Sequence, residues 1–360
     1  MLVYLSMIGI VYFLANLNIV DYIKINEVGI KKKNFYIILS IFIILVLVAG
    51  LRYGVGTDFY TYKGLFEYYM HADLWNTLLE DEGFFWAIPN IIGMFTDNVT
   101  YVYIAFAMII VGSVLFILNR YSVHFAFSLF LYITSMDYFT SFNGIRQWTA
   151  ATIIFVGFIF LQEKKYIKYL LILLFAYKFH NSSIVLIPLT CLVIFSPKSW
   201  IFNIVLFIAF ICLYLAPSIA DSLFSLIIPS DYQHYLQIDA TDDGVNILRV
   251  LVAVVPVIIS RLFYDKLIEG ENKRHMNFLI NFSMLNCFIL LLATRSTVLA
   301  RITMYTSLYN VLLIPYFIKL FKEDDRKIAR YMIMFLFFCY MYLLLPKDSN
   351  LLPYRTIFSM

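Results

Sequence analysis

Long runs of apolar residues, separated by short polar connections, occupy most of the 360-residue chain. The runs are continuous and do not alternate with period two, which predicts helices rather than the strands of a membrane β-barrel. A helix needs about 20 apolar residues to cross a bilayer, and several runs are shorter, so their ends would extend into flanking polar residues. The twelve runs lie at about 2–20, 34–51, 100–118, 124–141, 147–161, 166–179, 183–196, 200–217, 246–260, 278–293, 302–318 and 331–345.

One further apolar segment, at residues 83–95, is too short for a membrane span and contains Pro89. Counting it as a span would also move every later connection to the opposite face. We therefore expect an interfacial or re-entrant helix on the outer side. The whole pattern predicts an all-α fold, a polytopic membrane helix bundle of about 12 transmembrane helices, which forms a single integral membrane domain over residues 1–360.

The composition supports a membrane protein and excludes several other classes. Apolar residues make up 62% of the chain and charged residues only 14%, and the mean hydropathy is +0.83. These values exclude a soluble enzyme and a disordered tail, and we expect no nucleic-acid partner. The cysteines lie far apart, with no CxxC motif and no histidine at metal-ligand spacing, so neither a disulfide framework nor a metal site is indicated.

Lysine and arginine divide unequally between the two faces that alternating spans create. One face holds 18 of the 27 cations and 13 of these are Lys, whereas the other face holds nine, of which six are Arg. The positive-inside rule places the cation-rich face in the cytoplasm and both termini outside. Arginine on the outer face is suited to bidentate binding of phosphate. The cation-rich connections are 21–33, 119–123, 162–168, 196–199, 260–277 and 319–330; the others are 52–99, 142–147, 178–183, 218–249, 293–303 and 346–360.

Arginine lies near polar or acidic residues in two motifs of the predicted outer face. The first motif, LRYGVGTDFYTY, contains Arg52 and Asp58. These opposite charges can build one site, or Asp58 can simply hold Arg52 in place through an ion pair. The second motif, NGIRQ, places Arg146 at the start of a span, where helix N-terminal amides and a guanidinium form an anion site. An interfacial arginine that extends to water explains the second pattern equally well.

Three other outer segments carry polar groups. His180 in KFHNSS is a structural hydrogen-bonding residue or a proton acceptor near physiological pH. Arg301 and Tyr305 are four residues apart and should share one helix face, and charges this near a bilayer are usually functional. The 218–247 segment is expected to be an extracytoplasmic loop. Its five aspartates and its aromatic residues suit sugars, although a solvated loop fits the same pattern.

No segment on the inner face is long enough to fold a nucleotide-binding domain. The longest connection on that face is 260–277. The chain has neither a P-loop nor a GxGxxG motif that opens a helix after a strand. The substrates should therefore arrive through the membrane or from outside, and we expect no cofactor.

Taken together, these motifs resemble the EpsG family of bacterial membrane proteins, the Wzy-like oligosaccharide repeat-unit polymerases. The resemblance implies a membrane glycosyltransferase, a polysaccharide polymerase that acts on O-antigen, capsule or exopolysaccharide units carried on undecaprenyl pyrophosphate. It also implies a multi-pass protein of the bacterial cytoplasmic (inner) membrane, with its active site on the periplasmic or extracellular side. The 218–247 loop does not match. The matching segments include LRYGVGTDFYTY, DEGFFWAI, FNGIRQW, FHNSSIVLIPL, ARITMYTSLYNVLLIP and NLLPYRTIF.

The resemblance and the arginine-rich outer face together give a hypothesis for the mechanism. An acceptor hydroxyl attacks the anomeric carbon of the donor, and guanidinium groups stabilise the departing lipid pyrophosphate. The candidates for this role are Arg52, Arg146, Arg295 and Arg301, with Arg146 and Arg301 foremost. The candidates for the base, in descending order, are Asp58, Glu82 and His180, although Glu82 can instead cap the next helix. The candidates for orienting substrate are Tyr62, Gln147, Ser182 and Tyr305.

Three other functions are alternatives: a ligase, a flippase and an acyltransferase. A ligase that transfers finished glycan from lipid pyrophosphate would use the same arginines. A flippase of lipid-linked sugar would be expected to show paired repeats and charges at mid-membrane, which the sequence does not, and a sugar acyltransferase ranks last. The expected partners are undecaprenyl pyrophosphate-linked oligosaccharide and membrane lipids, with a chain-length regulator and a flippase left open. The sequence gives neither the sugar, the linkage nor the chain length.

Overall fold

A computed structural model describes residues 1–17, 32–215, 245–294, 297–347 and 350–359, and within these ranges the chain is helical with no strand. The α-helices, numbered α1 to α18 in chain order, are Leu2–Leu17, Lys32–Gly50, Phe59–Met70, Leu74–Leu79, Gly83–Gly93, Thr100–Tyr121, Phe125–Thr134, Asp137–Thr140, Ile145–Gln162, Tyr166–Tyr177, Leu186–Val193, Trp200–Leu215, Ile247–Leu262, Tyr264–Ile268, Lys273–Leu292, Thr297–Ile302, Leu308–Leu313 and Glu323–Leu344. The 3-10 helices are Asn181–Val185, Thr303–Tyr305, Ile314–Leu320 and Ile357–Ser359.

The all-helical prediction is confirmed for the described residues, but the count of about 12 spans is not. Among the described residues, four helices are long and apolar enough to cross a membrane: Thr100–Tyr121, Ile145–Gln162, Lys273–Leu292 and Glu323–Leu344. Shorter apolar helices lie in the other predicted runs. One reason is that polar or proline-containing breaks divide runs that hydropathy alone reads as continuous. The run at 302–318, for example, is divided into a 3-10 turn, a short α-helix and a second 3-10 segment that begins at Ile314 next to Pro315.

The chain forms two compact units, one of residues 1–156 and 327–360 and the other of residues 157–326. The prediction of one integral membrane domain stays a prediction. In the first unit, the long connection 52–99 is not an open loop, because it folds into α3, α4 and α5. The segment predicted to be interfacial or re-entrant forms α5, an 11-residue helix with Pro89 inside it. Its placement at a membrane surface stays a prediction.

Aromatic rings of α3 and α5 pack against the apolar helix α6. The Phe66 ring of α3 stacks on Phe106 at a centroid distance of 5.5 Å, and the Phe85 ring of α5 stacks on the same residue at 4.3 Å. Phe66, Phe85 and Phe106 are almost fully buried. Stacked aromatic pairs of this kind contribute about 0.5–1.5 kcal/mol each beyond the area they bury. The segment 52–99 is therefore a rigid platform that can hold side chains in fixed positions.

In the second unit, the cation-rich connections contact one another. Lys198 forms an ion pair with Asp265, with a distance of 2.8 Å from Nζ to Oδ1, and Lys319 forms an ion pair with Glu271. These pairs join connections that the charge pattern assigns to one face. At the other end of their helices, the backbone N–H of Val245 donates to the carbonyl of Ala293. Within this unit, these contacts between cation-rich connections agree with the alternation of spans that the sequence predicts. That this face is cytoplasmic stays a prediction.

Gly93 and Gly64 provide a matched test of the packing between α3 and α5. A Cβ at Gly93 would lie 2.1 Å from the carbonyl oxygen of Met70, whereas a Cβ at Gly64 meets nothing within 4 Å. We expect Gly93→Ala to lower the thermal unfolding midpoint clearly, because the backbone of α3 has to shift, at a cost of about 1–3 kcal/mol. We expect Gly64→Ala to raise it slightly, because alanine favours the helix by about 0.5–1 kcal/mol. Equal midpoints for the two purified variants would contradict this packing.

Candidate active site

The first polar motif is held in place by the C-terminal segment of the chain. The backbone N–H of Tyr53 donates to the carbonyl of Arg355 at 2.9 Å, and that of Gly56 donates to the carbonyl of Asn350 at 2.9 Å. Gly56 has a φ of +102°, a conformation that glycine adopts without strain. These contacts bring the motifs LRYGVGTDFYTY and NLLPYRTIF, almost 300 residues apart in the sequence, into one structure.

Arg52 is buried, with 3% of its surface exposed, and binds backbone rather than an acid. Its guanidinium donates to the carbonyl of Ala49 and to that of Phe142 at 3.1 Å, and lies over the rings of Tyr103 and Phe142. Burial lowers the pKa of Arg52 from its ordinary value. Among the described residues it has no ion pair with Asp58, so the simple pairing that the sequence allowed is not present. Pyrophosphate binding by Arg52 stays a prediction, and the geometry favours a role in holding residues 142–146.

Asp58 instead joins the first motif to the second. One carboxylate oxygen accepts a hydrogen bond from the backbone N–H of Gly144 at 3.0 Å, and the backbone N–H of Asp58 donates to the Asn143 side chain at 3.2 Å. Asp58 is half-buried and precedes α3, but its side chain does not cap that helix. The carboxylate of Asp58 therefore lies beside the turn that leads into α9, the helix that carries Arg146 in its first turn.

Arg146 is held by Glu82. The distance from its Nη1 to the Glu82 Oε2 is 2.8 Å, and the guanidinium carbon lies 5.4 Å from the centre of the Trp86 ring. The Glu82 side chain is 5% exposed and the Arg146 side chain 19%. An ion pair at this depth is screened much less than a surface pair. The guanidinium is therefore fixed in direction while part of the Arg146 side chain stays exposed, which suits a group that receives an anionic substrate.

Glu82 occupies a backbone conformation that L residues rarely adopt. Its φ and ψ are 57° and 24°, in the left-handed region. It stands immediately before α5, but its side chain makes no capping hydrogen bond with that helix. The alternative in which Glu82 serves only as a helix cap is therefore wrong. Left-handed backbone at a non-glycine residue costs about 1 kcal/mol or more, and residues in such conformations cluster at functional sites.

Tyr62 and Gln147 complete this cluster. The Tyr62 side chain is buried, and its hydroxyl accepts from the backbone N–H of Arg146 at 3.5 Å. Burial raises the pKa of Tyr62, and the charge of Arg146 partly opposes this. Gln147 is 5% exposed at the start of α9. The structure thus brings together five residues that the sequence singled out separately, and their substrate-orienting roles stay predictions. They are Asp58, Tyr62, Glu82, Arg146 and Gln147.

Removing the carboxylate of Glu82 tests its role as the support for Arg146. We expect Glu82→Ala to destabilise the protein by about 3 kcal/mol, the low end for a buried ion pair that loses one partner, because Arg146 keeps some contact with water. Glu82→Gln should cost less, since the amide oxygen still accepts from Nη1. Glu80→Gln is the matched control, because its carboxylate is exposed and accepts only from the Tyr69 hydroxyl. Thermal or chemical unfolding measures all three, and a Glu82→Ala variant as stable as the control would refute the supporting role.

The remaining candidates lie in the second unit. Ser182 and Tyr305 are hydrogen-bonded through their hydroxyls at 2.9 Å, which joins the FHNSS and ARITMY motifs. Tyr305 is 2% exposed, and His180 is partly exposed in front of the 3-10 helix Asn181–Val185. The roles of Ser182, Tyr305 and His180 in substrate binding and proton transfer stay predictions.

The expectation that Arg301 and Tyr305 share one helix face is wrong. The α-helix ends at Ile302, and Tyr305 belongs to the 3-10 turn that follows. Arg301 is exposed whereas Tyr305 is buried. Arg295 and almost all of the predicted 218–247 loop lie outside the described residues.

Sequence reasoning missed two residues that shape the arginine site. Trp86 supplies the ring under Arg146, and Asn143 supplies the side-chain oxygen that binds the backbone at Asp58. Both lie inside the motifs DEGFFWAI and FNGIRQW, so the motifs contained the signal. Apolar composition hid Trp86, because a tryptophan in a hydrophobic run reads as core or interface.

The first-unit cluster can bind an anion and accept a proton. A guanidinium held in a fixed direction is suited to stabilising negative charge on a leaving group, and the carboxylate of Asp58, beside the turn that precedes Arg146, can accept a proton. Within the described part of the chain, no three His, Cys, Asp or Glu side chains lie close enough to hold a metal ion.

Comparison with known proteins adds one match. The model of the EpsG family matches residues 35–356 of this chain, a range that contains all the candidate site residues. No curated protein and no solved structure matches it.

Proposed function

The chain belongs to the EpsG family, which is polysaccharide polymerase-like, and from this premise we propose that it polymerises lipid-linked oligosaccharide repeat units. The donor is a growing glycan on undecaprenyl pyrophosphate, and the acceptor is one repeat unit on the same carrier. The reaction takes place at the outer face of the bacterial cytoplasmic membrane. The product is an O-antigen, a capsule or an exopolysaccharide.

In the proposed reaction, one hydroxyl of the acceptor sugar attacks the anomeric carbon of the donor. The new glycosidic C–O bond forms as the C–O bond to pyrophosphate breaks, and lipid pyrophosphate leaves with the electron pair. Asp58 takes the proton of the attacking hydroxyl. Arg146 receives the charge that develops on the pyrophosphate, while Glu82 and Trp86 keep its guanidinium in place. Arg301 and Arg295 remain candidates for binding the departing pyrophosphate.

The single observation that carries this proposal is the arrangement at Arg146. Its guanidinium is held 2.8 Å from a buried carboxylate and keeps 19% exposure of its side chain. A purely structural pair has no need to reach solvent, whereas a leaving-group site does. An arginine that is already oriented loses little further freedom when it binds a phosphate, which favours selection of the charged transition state.

A ligase of finished glycan is the second candidate, because it breaks the same bond. A flippase is less well supported, because the polar motifs of the first unit gather at one end of its helices and no described acid or base pair lies at the middle of a long helix. These functions differ in what accumulates when the protein is lost. A deletion strain should accumulate single lipid-linked repeat units outside the membrane if the protein is a polymerase.

The experiment is therefore deletion, followed by complementation with the wild-type gene. We expect single repeat units at the outer face of deletion cells and restoration of long polymer on complementation. Accumulation of repeat units at the inner face would identify a flippase. Long polymer that is made but not attached to its final acceptor would identify a ligase. Either result would replace the proposed function.

A further inference from the structure

A cavity with a volume of about 310 Å³, lined by basic and apolar side chains, lies within the second unit. It is formed by the beginning of α10, the end of α11 and the beginning of α15. These helix ends adjoin the cation-rich connections 162–168, 196–199 and 260–277. The wall of the cavity includes Tyr166, Val193, Lys273, Arg274, Asn277 and Phe278.

Both cations of the cavity are without a carboxylate partner among the described residues. Arg274 donates through Nη2 to the carbonyl of Leu161 at 2.8 Å and to the hydroxyl of Tyr166 at 2.9 Å, and its guanidinium lies over the rings of Tyr166 and Phe278. Lys273 is exposed. Arg274 is thus fixed by neutral groups that leave its charge in full, and Lys273 adds a second positive charge beside it.

Two acids of the same connection pair with other lysines: Asp265 binds Lys198, and Glu271 binds Lys319. Glu269 is exposed and, like those two acids, does not line the cavity. In the part of the chain that the structure describes, the wall of the cavity contains no acid. Its polar lining therefore presents net positive charge.

The other groups of the cavity fit an amphiphile rather than a free sugar. Asn277 accepts from the Tyr264 hydroxyl through Oδ1 at 2.7 Å, which leaves its amide nitrogen to donate. Val193 and Phe278 form an apolar wall, and the adjoining Ile194 is 46% exposed. The volume lies at the small end of ligand sites, which span about 300–1,000 Å³. This is room for a phosphate headgroup, with the acyl chains continuing along the apolar surface.

We propose that this cavity binds the phosphate of an anionic membrane phospholipid. Lys273 and Arg274 bind the phosphate oxygens, Asn277 donates to the glycerol or phosphate oxygens, and the apolar wall receives the first carbons of the chains. Basic pockets between helices commonly bind anionic headgroups in this way. The site differs from the proposed catalytic cluster in its residues and its ligand, so it does not rest on the proposed function.

The test uses the full-length purified protein in nanodiscs that contain equal amounts of phosphatidylglycerol and phosphatidylcholine. Native mass spectrometry then measures which lipid the protein retains. Lys273→Gln is the primary variant, because its side chain is exposed and the fold should not depend on it. Lys266→Gln is the matched control, an exposed lysine of the same connection that lies over the Phe263 ring and outside the cavity. Arg274→Lys keeps the charge but changes the hydrogen bonds to Leu161 and Tyr166.

We expect wild type, Lys266→Gln and Arg274→Lys to retain phosphatidylglycerol in preference to phosphatidylcholine. In Lys273→Gln, the ratio of retained phosphatidylglycerol to phosphatidylcholine should fall about fivefold. A second arm measures the thermal unfolding midpoint with added inorganic phosphate. If phosphate raises the midpoint of the wild type but not of Lys273→Gln, and the wild type shows no lipid preference, the ligand is free phosphate rather than a phospholipid. Equal lipid preference and equal response to phosphate in Lys273→Gln and Lys266→Gln would overturn the proposal.

Discussion

Arg146→Ala should reduce polymer formation by about 100-fold to 1,000-fold, the loss typical when one preorganised donor is removed from a site that stabilises developing negative charge. Arg146→Lys should give an intermediate loss, because lysine keeps the charge but not the planar fork that binds phosphate through two hydrogen bonds. The amount and length of polymer made by a complemented deletion strain, normalised to the amount of protein in the membrane, measures both.

The control for this prediction must separate catalysis from folding. Arg146→Ala leaves the buried Glu82 carboxylate without its ion-pair partner, which is itself destabilising. Arg146→Lys preserves an ion pair with Glu82, so its loss of activity should appear without a large fall in the unfolding midpoint. Arg355→Lys is a second matched control, because it lies in the same unit but has only its backbone in the described contacts. Normal polymer from Arg146→Lys and Arg146→Ala would remove Arg146 from the mechanism.

Asp58→Asn should reduce the rate by about 100-fold to 10,000-fold, the contribution typical of a general base. The amide still accepts a hydrogen bond from the backbone N–H of Gly144, so the turn should stay intact while proton transfer fails. The measurement is the rate of repeat-unit transfer by the purified protein, together with its thermal unfolding midpoint. The rate should fall while the midpoint changes little.

Thr57→Ala is the control for Asp58→Asn. The Thr57 hydroxyl is exposed and makes only two long hydrogen bonds, each of 3.3 Å, to the side chains of Asp58 and Asn143. Its loss should leave the rate close to that of the wild type. If Asp58→Asn transfers repeat units at the wild-type rate, Asp58 is a structural link between the two motifs, and Glu82 and His180 are the candidates left for the base.

The helical nature of the chain followed from the sequence, because continuous apolar runs leave helices as the only way to satisfy the backbone in lipid. The breaks within these runs did not. The connection 52–99 reads as a polar loop with one apolar insert, but it folds into three helices, and the aromatic rings of α3 and α5 pack on α6. Hydropathy averages over such a segment, and the ring contacts that stabilise it join residues that lie far apart in the sequence.

The candidate site, too, could be predicted only in part from the sequence. Arg146, Asp58 and Glu82 could be selected one at a time, because charges are few in this chain and each stands in a distinctive motif. Their partners could not be predicted, because the ion pair between Glu82 and Arg146 spans 64 residues. Arg52 was selected on the same grounds as Arg146, yet it donates to backbone carbonyls. An arginine that faces a phosphate and one that faces carbonyls have the same sequence signal, since both supply donors to oxygen.

The most direct test of the central claim is to incubate the purified protein with a lipid-linked repeat unit and resolve the products by size. The account predicts a ladder with steps of one repeat unit and one lipid pyrophosphate released for each new linkage. The ladder should be lost in Arg146→Ala and strongly reduced in Arg146→Lys. A single transfer of a finished block, or a wild-type ladder from both variants, would contradict it.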